Sequence, residues 1–245
     1  MSYRSIRLFV KQKLALEELV ILNEKTSHYL NTVMRCASSD IIKCFNATDG
    51  EFYAEIQGID KKQAVIKIRE QIRQPKEEKD IWLLFAPLKK DKTDFVIEKA
   101  VELGVSKIIP IITTRTNNTN VKIERFEAQA VEAAEQCERL SVPEIGETVA
   151  LKKLLKEWDK SRLLFFMDER RKGKKVDEAF VLSKGKKVAL IIGPEGGFDE
   201  EERELLEKQP FVINVSLGPR ILRAETAVAA ALAVWQAVAG DWGEN

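Results

Sequence analysis

Cysteine and histidine are both scarce in this chain of 245 residues, which contains three cysteines and one histidine. Cys36, Cys44 and Cys137 lack the close pairing that is typical of zinc sites, and a disulfide framework would need more of them. We therefore expect no metal site, no structural disulfide, and a reducing, cytoplasmic setting.

Long hydrophobic runs are absent as well. The longest, residues 227–239, is interrupted only by Gln236 and is too short to span a bilayer. Residues 1–10 contain two arginines and lack the apolar core of a signal peptide. The sequence thus predicts no association with a membrane.

Neither sign of charge dominates, because 40 lysines and arginines are balanced by 39 aspartates and glutamates. A net charge of +1 excludes a basic field over the whole surface of the protein. Locally, four cations and no acid occur in residues 1–16: Arg4, Arg7, Lys11 and Lys13. Charge alone leaves two interpretations open, a phosphate-binding patch and an ordinary solvated surface.

The first 72 residues are predicted to form a β-rich domain. Short runs of alternating polarity predict strands at residues 39–45, 51–59 and 63–70. One helix is predicted at residues 27–34, and evenly spaced short strands are typical of a small barrel or sandwich. The polar, proline-containing segment 73–80 is the expected linker, so the predicted domains are residues 1–72 and 73–245.

Beyond the linker, continuous apolar runs alternate with amphipathic segments. The predicted strands are residues 81–86, 105–112, 162–167, 188–192 and 211–216. The predicted helices are residues 91–103, 123–139, 151–158, 199–208 and 227–239. This alternation predicts an α/β domain whose mostly parallel sheet is covered by helices on both faces.

Two glycine-proline loops, residues 193–198 and 217–223, follow the last two predicted strands. They are expected at one edge of the sheet, where α/β proteins bind ligands. The first loop has no phosphate-binding motif, and Asp199 and Glu202 after it form a predicted capping box. Acids at a helix start repel phosphate, so this loop favours a neutral or cationic ligand, or is a capped turn without a ligand.

The second loop leads into an unusually apolar helix. Arg220, Arg223 and Glu225 are close together in the sequence, and Thr226 is the predicted N-cap. The helix at 227–239 is apolar on every face, which is typical of a helix that is buried all round. Two environments would bury it: the chain's own core alone, or that core together with a partner subunit.

These loops carry a resemblance to a known family. Residues 192–198 read IGPEGGF and residues 217–227 read LGPRILRAETA. Together they resemble the signature of the RsmE-type 16S ribosomal RNA uridine-N3 methyltransferases, members of the SPOUT superfamily. Further matching segments are RLF at 7–9, HYL at 28–30, VMR at 33–35, KAVELGV at 99–105 and EAAEQC at 132–137. The resemblance therefore covers nearly the whole chain.

The resemblance implies a fold, a cofactor and a reaction. The family has a small N-terminal PUA-like β-barrel used for RNA and a C-terminal SPOUT α/β domain whose trefoil knot binds S-adenosylmethionine (SAM). It is a homodimer with active sites at the interface, which would account for the apolar last helix. SAM has no phosphate and bears a sulfonium cation, which suits the acids after the first loop. The implied reaction is methylation of uracil N3 of one uridine in the decoding region of 16S RNA, in the small ribosomal subunit.

The resemblance also implies the residues of the site. Contacts to SAM are expected from Met167, Ile192, Gly193, Pro194, Glu195, Gly196, Gly197, Leu217, Gly218, Ile221, Leu222, Arg223 and Thr226. The candidates for holding the uracil or accepting its proton are Arg115, Arg220, Arg223 and Glu225, with Glu195 a weaker candidate. Contacts to RNA are expected from Arg4, Arg7, Arg35 and Lys90.

Two other functions compete with this one. A non-catalytic RNA-binding or ribosome-assembly protein would keep the fold, although the retention of both loops argues against it. A nucleotide-binding enzyme of another kind is disfavoured by the acids at 199–202 and by the missing lysine. His28, the only histidine, lies in the N-terminal domain, where a structural or RNA-contacting role is favoured over catalysis.

Overall fold

The computed structural model describes residues 2–60 and 62–243 and divides the chain into two compact units. The N-terminal unit comprises Met1–Glu77 and Ala134–Val142, and the C-terminal unit comprises Glu78–Ala133 and Pro143–Asn245. No sequence pattern indicated that segment 134–142 lies with the first unit. The domain boundary after residue 72 stays a prediction.

The N-terminal unit is built on a mixed five-stranded sheet. Its elements are β1 (Ser2–Phe9), β2 (Leu19–Leu22), α1 (Glu24–His28) with a following π-helical turn (Tyr29–Val33), β3 (Asp40–Asn46), β4 (Gly50–Ile59) and β5 (Ala64–Arg73). The strand order is β1-β3-β4-β5-β2, with β1 parallel to β3 and the other pairs antiparallel. The three predicted strands are confirmed, whereas β1 and β2 were not predicted, and closure into a barrel stays a prediction.

A charged cluster lies inside the N-terminal unit. The Arg7 side chain is buried, donates from Nε to Glu51 Oε1 at 2.5 Å, and stacks 3.4 Å above the Phe45 ring. Its other nitrogens donate to the carbonyl oxygens of Ala134 and Arg139, both in the segment that joins this unit. Arg7 therefore holds the unit together from within. This position does not suit its predicted contact with RNA.

The C-terminal unit is an α/β domain with an all-parallel sheet. Its strands are β6 (Ile81–Phe85), β7 (Lys107–Ile112), β8 (Glu144–Ile145), β9 (Val149–Ala150), β10 (Leu163–Met167), β11 (Lys174–Lys175), β12 (Val188–Ile192) and β13 (Val212–Ser216). Its helices are α2 (Lys90–Glu102), α3 (Ile123–Gln136, whose last turn belongs to the first unit), α4 (Leu151–Lys156), α5 (Val176–Val181), α6 (Glu200–Glu207) and α7 (Ala224–Val238). The strand order is β11-β13-β10-β12-β6-β7-β8, with β9 paired to β7.

Burial explains why the central strands were predictable. All five residues of β12 are buried, and its neighbour β10 is buried at four of five positions. A strand that is covered on both faces reads as a continuous apolar run, which is the pattern found at 188–192 and 163–167. The two-residue strands β8, β9 and β11 and the short helix α5 carry no such pattern and were not predicted.

The start of α7 corrects the sequence interpretation. The helix begins at Ala224 with Arg223 at its N-cap, and no side chain caps it. Thr226 lies inside the first turn, so its prediction as the N-cap is wrong. Alanine and glutamate are good helix formers, and the Glu225 carboxylate in the first turn is stabilised by the positive end of the helix dipole. The helix therefore starts three residues earlier than predicted.

Two further features concern the chain as a whole. Within residues 2–60 and 62–243, no helix has both the length and the apolar character needed to cross a membrane. The trefoil knot implied by the resemblance stays a prediction.

We predict that Arg7→Met lowers the free energy of unfolding by about 3–5 kcal/mol, because it removes one partner of a buried ion pair and leaves two carbonyls without their donor. Urea unfolding followed by circular dichroism measures this change. Lys67→Met is the control, since Lys67 pairs with the exposed Glu17, and it should cost less than about 1 kcal/mol. Equal losses in the two variants would contradict a structural role for Arg7.

Candidate functional site

Three loops meet at the carboxyl edge of the C-terminal sheet. β10 lies between β12 and β13 and runs parallel to both, with Phe165 paired to Leu190 on one side and to Ile213 on the other. The three strands therefore end side by side. The loops that follow them are loop A (168–173, after β10), loop B (193–198, after β12) and loop C (217–223, after β13).

Loop B is shaped by close packing at two glycines. A Cβ at Gly193 would lie 2.7 Å from the ring of Phe198, which is fully buried and packs edge-on against Phe166. Gly197 has a φ of +67°, and a Cβ there would lie 2.6 Å from Glu169 Oε1 of loop A. Gly193 requires glycine because a side chain would collide with the buried Phe198 ring, and Gly197 because its positive φ strains any other residue.

The helix after loop B begins with the predicted capping box. Asp199 accepts from the Glu202 amide at 2.8 Å, and Glu202 accepts from the Asp199 amide at 3.1 Å. The hydrogen bond from the Glu202 backbone is the main cause that lowers the pKa of Asp199. Glu202 is buried and also accepts from the Thr114 amide after β7 at 2.8 Å. The helix start is thus already supplied with carboxylates, which leaves it unsuited to a phosphate.

Loops A and C are linked by an arginine. Arg171, whose φ is +65°, donates from Nη1 to the carbonyl oxygen of Pro219 at 2.7 Å. Glu169 of loop A pairs with Arg203 of α6 at 3.2 Å. Loop A is therefore held on one side by loop C and on the other by the helix after loop B.

The three loops enclose a cavity of about 560 Å³. This volume lies within the range of about 300–1,000 Å³ that is common for small-molecule sites. Most of the wall is apolar side chain or glycine backbone, and the charged groups stand at a few points. The residues that line it are Lys92, Met167, Asp168, Glu169, Arg171, Ile192, Gly193, Pro194, Glu195, Gly196, Gly197, Leu217, Gly218, Arg220, Ile221, Leu222, Arg223, Ala224 and Ala227.

Lys92, in the first turn of α2, lies between two carboxylates. Its Nζ donates to Glu195 Oε1 of loop B and lies 3.8 Å from Glu225 Oε1 in the first turn of α7. The hydrogen bond from Lys92 is the main cause that holds the pKa of Glu195 below its ordinary value. Glu225 Oε2 is enclosed and has no hydrogen-bond partner among the described residues. One ammonium group thus joins α2, loop B and α7.

Arg115 supports loop B from outside the cavity. It is exposed at the end of β7, donates from Nη1 to the carbonyl oxygen of Gly196 at 2.8 Å, and packs its side chain beside that glycine. Of the residues predicted to bind SAM or act on the uracil, three do not line the cavity: Arg115, Glu225 and Thr226. The other predicted cofactor residues, together with Arg220, do line it.

The residues predicted to contact RNA occupy different environments. Arg4 is partly exposed and pairs with Asp40 at 3.0 Å, whereas Arg7 is buried. Arg35 is exposed with a φ of +51°, and Lys90 is exposed at the start of α2. Their contact with RNA stays a prediction.

Comparison with known proteins agrees with this geometry. The family of RNA methyltransferase domains matches residues 75–236, and the family of RNA methyltransferase PUA domains matches residues 22–69. Ribosomal RNA small subunit methyltransferase E from Rickettsia conorii is 35% identical over 233 residues, with 93% of each chain covered. The chain belongs to the ribosomal RNA small subunit methyltransferase E family.

Solved members and relatives of the methyltransferase E family share the fold. The enzyme from Neisseria gonorrhoeae, solved with bound S-adenosylmethionine, has a TM-score of 0.87 at 27% identity, and the match covers 97% of this chain and 99% of that one. A methyltransferase from Legionella pneumophila, solved with bound SAM, has the same TM-score and coverage at 32% identity. The expected SPOUT-type α/β domain and N-terminal PUA domain are thereby confirmed.

The motif of the methyltransferase E family did not reveal every residue of the cavity. Lys92 and Arg171 were not among the predicted site residues. The signal for Lys92 was topological, because β6 neighbours β12 and its carboxyl end meets the same edge of the sheet. A residue two positions into the next helix was thus within reach of loop B.

We predict that Lys92→Met raises the pKa of Glu195 toward its ordinary value, because the hydrogen bond and charge that stabilise the carboxylate are removed. In the parent protein Glu195 remains ionised until the pH falls through its lowered pKa, and the contact with Lys92 is lost below that point. NMR titration of 13C-labelled glutamate side chains measures the shift. The control is Lys208→Met, which removes the surface pair with Glu204 and should leave Glu195 unchanged. An unaltered Glu195 titration in Lys92→Met would refute the assignment.

Proposed function

We propose that this protein transfers the methyl group of SAM to N3 of a uridine in 16S ribosomal RNA. The observation that carries the proposal is the cavity built by loops A, B and C, in a chain whose relatives are named as ribosomal RNA small subunit methyltransferases. A substrate of this kind implies a cytoplasmic enzyme.

The lining of the cavity fits SAM. Met167, Ile192, Leu217 and Leu222 provide apolar walls for a purine, and the glycines of loop B leave backbone in contact with the ligand space. The capped start of α6 disfavours a phosphate and tolerates a cation. When bound, SAM supplies an electrophilic methyl group on a positively charged sulfur. We assign the role of holding SAM to Met167, Ile192 and the cavity-lining residues of loops B and C other than Arg220.

The target nitrogen needs help from the protein. Uracil N3 carries a proton and is a poor nucleophile while neutral, so a proton acceptor or a cation near the uracil oxygens must assist. Arg220 and Arg223 are exposed in loop C and line the cavity, which suits them to hold the uracil oxygens or the adjoining phosphate. Arg115 is better suited to hold the Gly196 carbonyl of loop B in place.

Glu225 is the stronger of the two candidates for accepting the proton. Glu195 is engaged by Lys92, which lowers the pKa of its carboxyl group and so weakens it as a base. Glu225 Oε2 has no hydrogen-bond partner among the described residues and is largely shielded from solvent. A buried acceptor without a donor is costly in free energy, and a donor on the incoming substrate would relieve that cost.

We also propose that two copies of the chain associate. Ile221 of loop C is 76% exposed, and Val181 and Leu182 at the end of α5 are 54% and 43% exposed, so large apolar side chains stand on the surface of the C-terminal unit. We predict a homodimer, measured by sedimentation equilibrium, and we expect Ile221→Glu to shift it toward monomer because burial of a charge opposes association. A parent protein that sediments as a monomer at micromolar concentration would contradict this proposal.

The proposed reaction predicts that the purified protein, given SAM, adds one methyl group to 16S ribosomal RNA from cells that lack it. Nucleoside mass spectrometry should identify the product as 3-methyluridine. A product methylated on the ribose or at another ring position would overturn the N3 assignment. Binding of RNA without any transfer would favour the alternative of a ribosome-assembly protein.

The same assay tests the residues. Arg220→Ala and Glu225→Gln should each reduce the rate of transfer by about a hundredfold or more, as expected for loss of a group that acts on the reacting base. Calorimetric affinity for SAM should remain nearly unchanged, because neither side chain is assigned to the cofactor. Lys152→Gln, at an exposed site on α4, is the control and should retain full activity. Unchanged turnover in Arg220→Ala or Glu225→Gln would remove that residue from the mechanism.

A further inference from the structure

The N-terminal unit contains a second cavity, of about 430 Å³, lined in part by residues of β1, β3 and β4. The chain has only three tyrosines, and all three line this cavity: Tyr3, Tyr29 and Tyr53. Tyrosines spread by chance over 245 residues would not be expected to meet at one place. The cavity therefore brings three phenol rings to one place.

The rings form an accessible aromatic surface. Tyr3 is 69% exposed on β1 and packs edge-on against Tyr53 of β4, with ring centroids 5.2 Å apart and an angle of 79° between the planes. Tyr29, at the start of the π-helical turn, is 38% exposed. The exposed part of a ring leaves apolar surface in water, and a flat ligand that stacks on the ring would bury that surface.

Cations stand beside the rings. Lys43 of β3 is the direct cross-strand neighbour of Tyr53 and of Arg7, and Arg4 lines the same cavity next to Tyr3 in the sequence. Arg7 is committed to interior bonds. Arg4 uses its Nε for Asp40 but is 40% exposed, so Arg4 and Lys43 are the lining cations that can approach a ligand.

Two carboxylates also line the cavity, and they bear on which ligand fits. Glu138 is 66% exposed and lies 3.8 Å from Lys43, a loose pair that Lys43 can exchange for a phosphate. Glu135 Oε1 accepts from the Phe9 amide at 3.0 Å. Carboxylate oxygens accept hydrogen bonds from the amino groups of nucleobases, so the acids suit the base edge and the cations suit the backbone.

We propose that this cavity binds an unpaired nucleoside of the RNA substrate, one other than the methylated uridine. Its base stacks on the exposed Tyr3 ring and meets the nearly perpendicular Tyr53 ring at its edge. Its phosphate contacts Lys43 and Arg4. Aromatic stacking beside a cationic rim is the chemistry by which proteins hold single-stranded RNA. The inference rests on the proposed function only in taking RNA as the ligand.

The test is the binding of a fluorescein-labelled, unstructured ten-nucleotide RNA to the full-length protein, followed by anisotropy. Tyr3→Ala and Tyr53→Ala should each weaken binding by about fivefold or more, because each removes one aromatic contact with the base. Tyr3→Phe keeps the ring and should bind like the parent. Lys43→Gln should make the plot of log affinity against log salt shallower by about 0.7, the value for one phosphate contact with a single strand.

Leu19→Ala is the matched control, since Leu19 is 63% exposed on β2 of the same unit and does not line the cavity. It should bind like the parent. Parent affinity in both Tyr3→Ala and Lys43→Gln, or no binding of the RNA by the parent protein, would overturn the proposal. Melting temperatures identify any variant that fails to fold. If Tyr53→Ala fails to fold, Lys43→Gln provides the test of the cavity in its place.

Photocrosslinking tests independently where the RNA binds. An RNA of the same length with a single 4-thiouridine should crosslink to peptides that contain Tyr3, Tyr29 or Tyr53, and crosslinks confined to the C-terminal unit would overturn the proposal. The two proposals fail differently. If Tyr3→Ala methylates 16S RNA with the KM of the parent protein, the proposed function stands and this inference is wrong. If the parent protein crosslinks at these tyrosines but transfers no methyl group, this inference stands and the proposed function is wrong.

Discussion

The parallel alignment of β10, β12 and β13 is the constraint on which the site depends. Three adjacent strands that run in one direction must release their loops at the same edge, and the hydrogen-bond register of β10 with both neighbours fixes how far apart those loops start. The apolar character of β10 and β12 supplies the driving force, because these two strands are almost wholly buried. Apart from Lys92 of α2, every residue that lines the cavity stands at one of these strand ends or in the segment that follows it.

Polar bonds then determine where each loop lies. Arg171 ties loop A to loop C, Lys92 ties loop B to α2 and α7, and Arg115 holds the Gly196 carbonyl. Each of these side chains comes from a different element. The loops themselves contribute glycines whose missing side chains permit the close approach. A cavity assembled in this way has a preorganised wall, which reduces the ordering that a ligand must impose on binding.

Sequence patterns predicted the buried strands and both glycine-proline loops, because continuous apolar runs and turn residues are local signals. The Asp199–Glu202 capping box was predictable for the same reason and is confirmed. The family resemblance identified most of the residues that line the cavity, although their roles stay predictions. The patterns could not reveal Lys92, the buried state of Arg7 or the meeting of the three tyrosines, since each depends on contacts between residues far apart in the chain.

The N-terminal unit is discontinuous in sequence, and this affects how it can form during synthesis. Two of the hydrogen bonds of Arg7 end on Ala134 and Arg139, which lie more than a hundred residues downstream. Residues 1–77 leave the ribosome first. The carbonyl oxygens of Ala134 and Arg139, which accept from the Arg7 guanidinium group, become available only after part of the next unit has been translated. The first unit to emerge is therefore not the first to be complete, and a gene fragment that ends at residue 77 would encode a unit that lacks a part of its own interior.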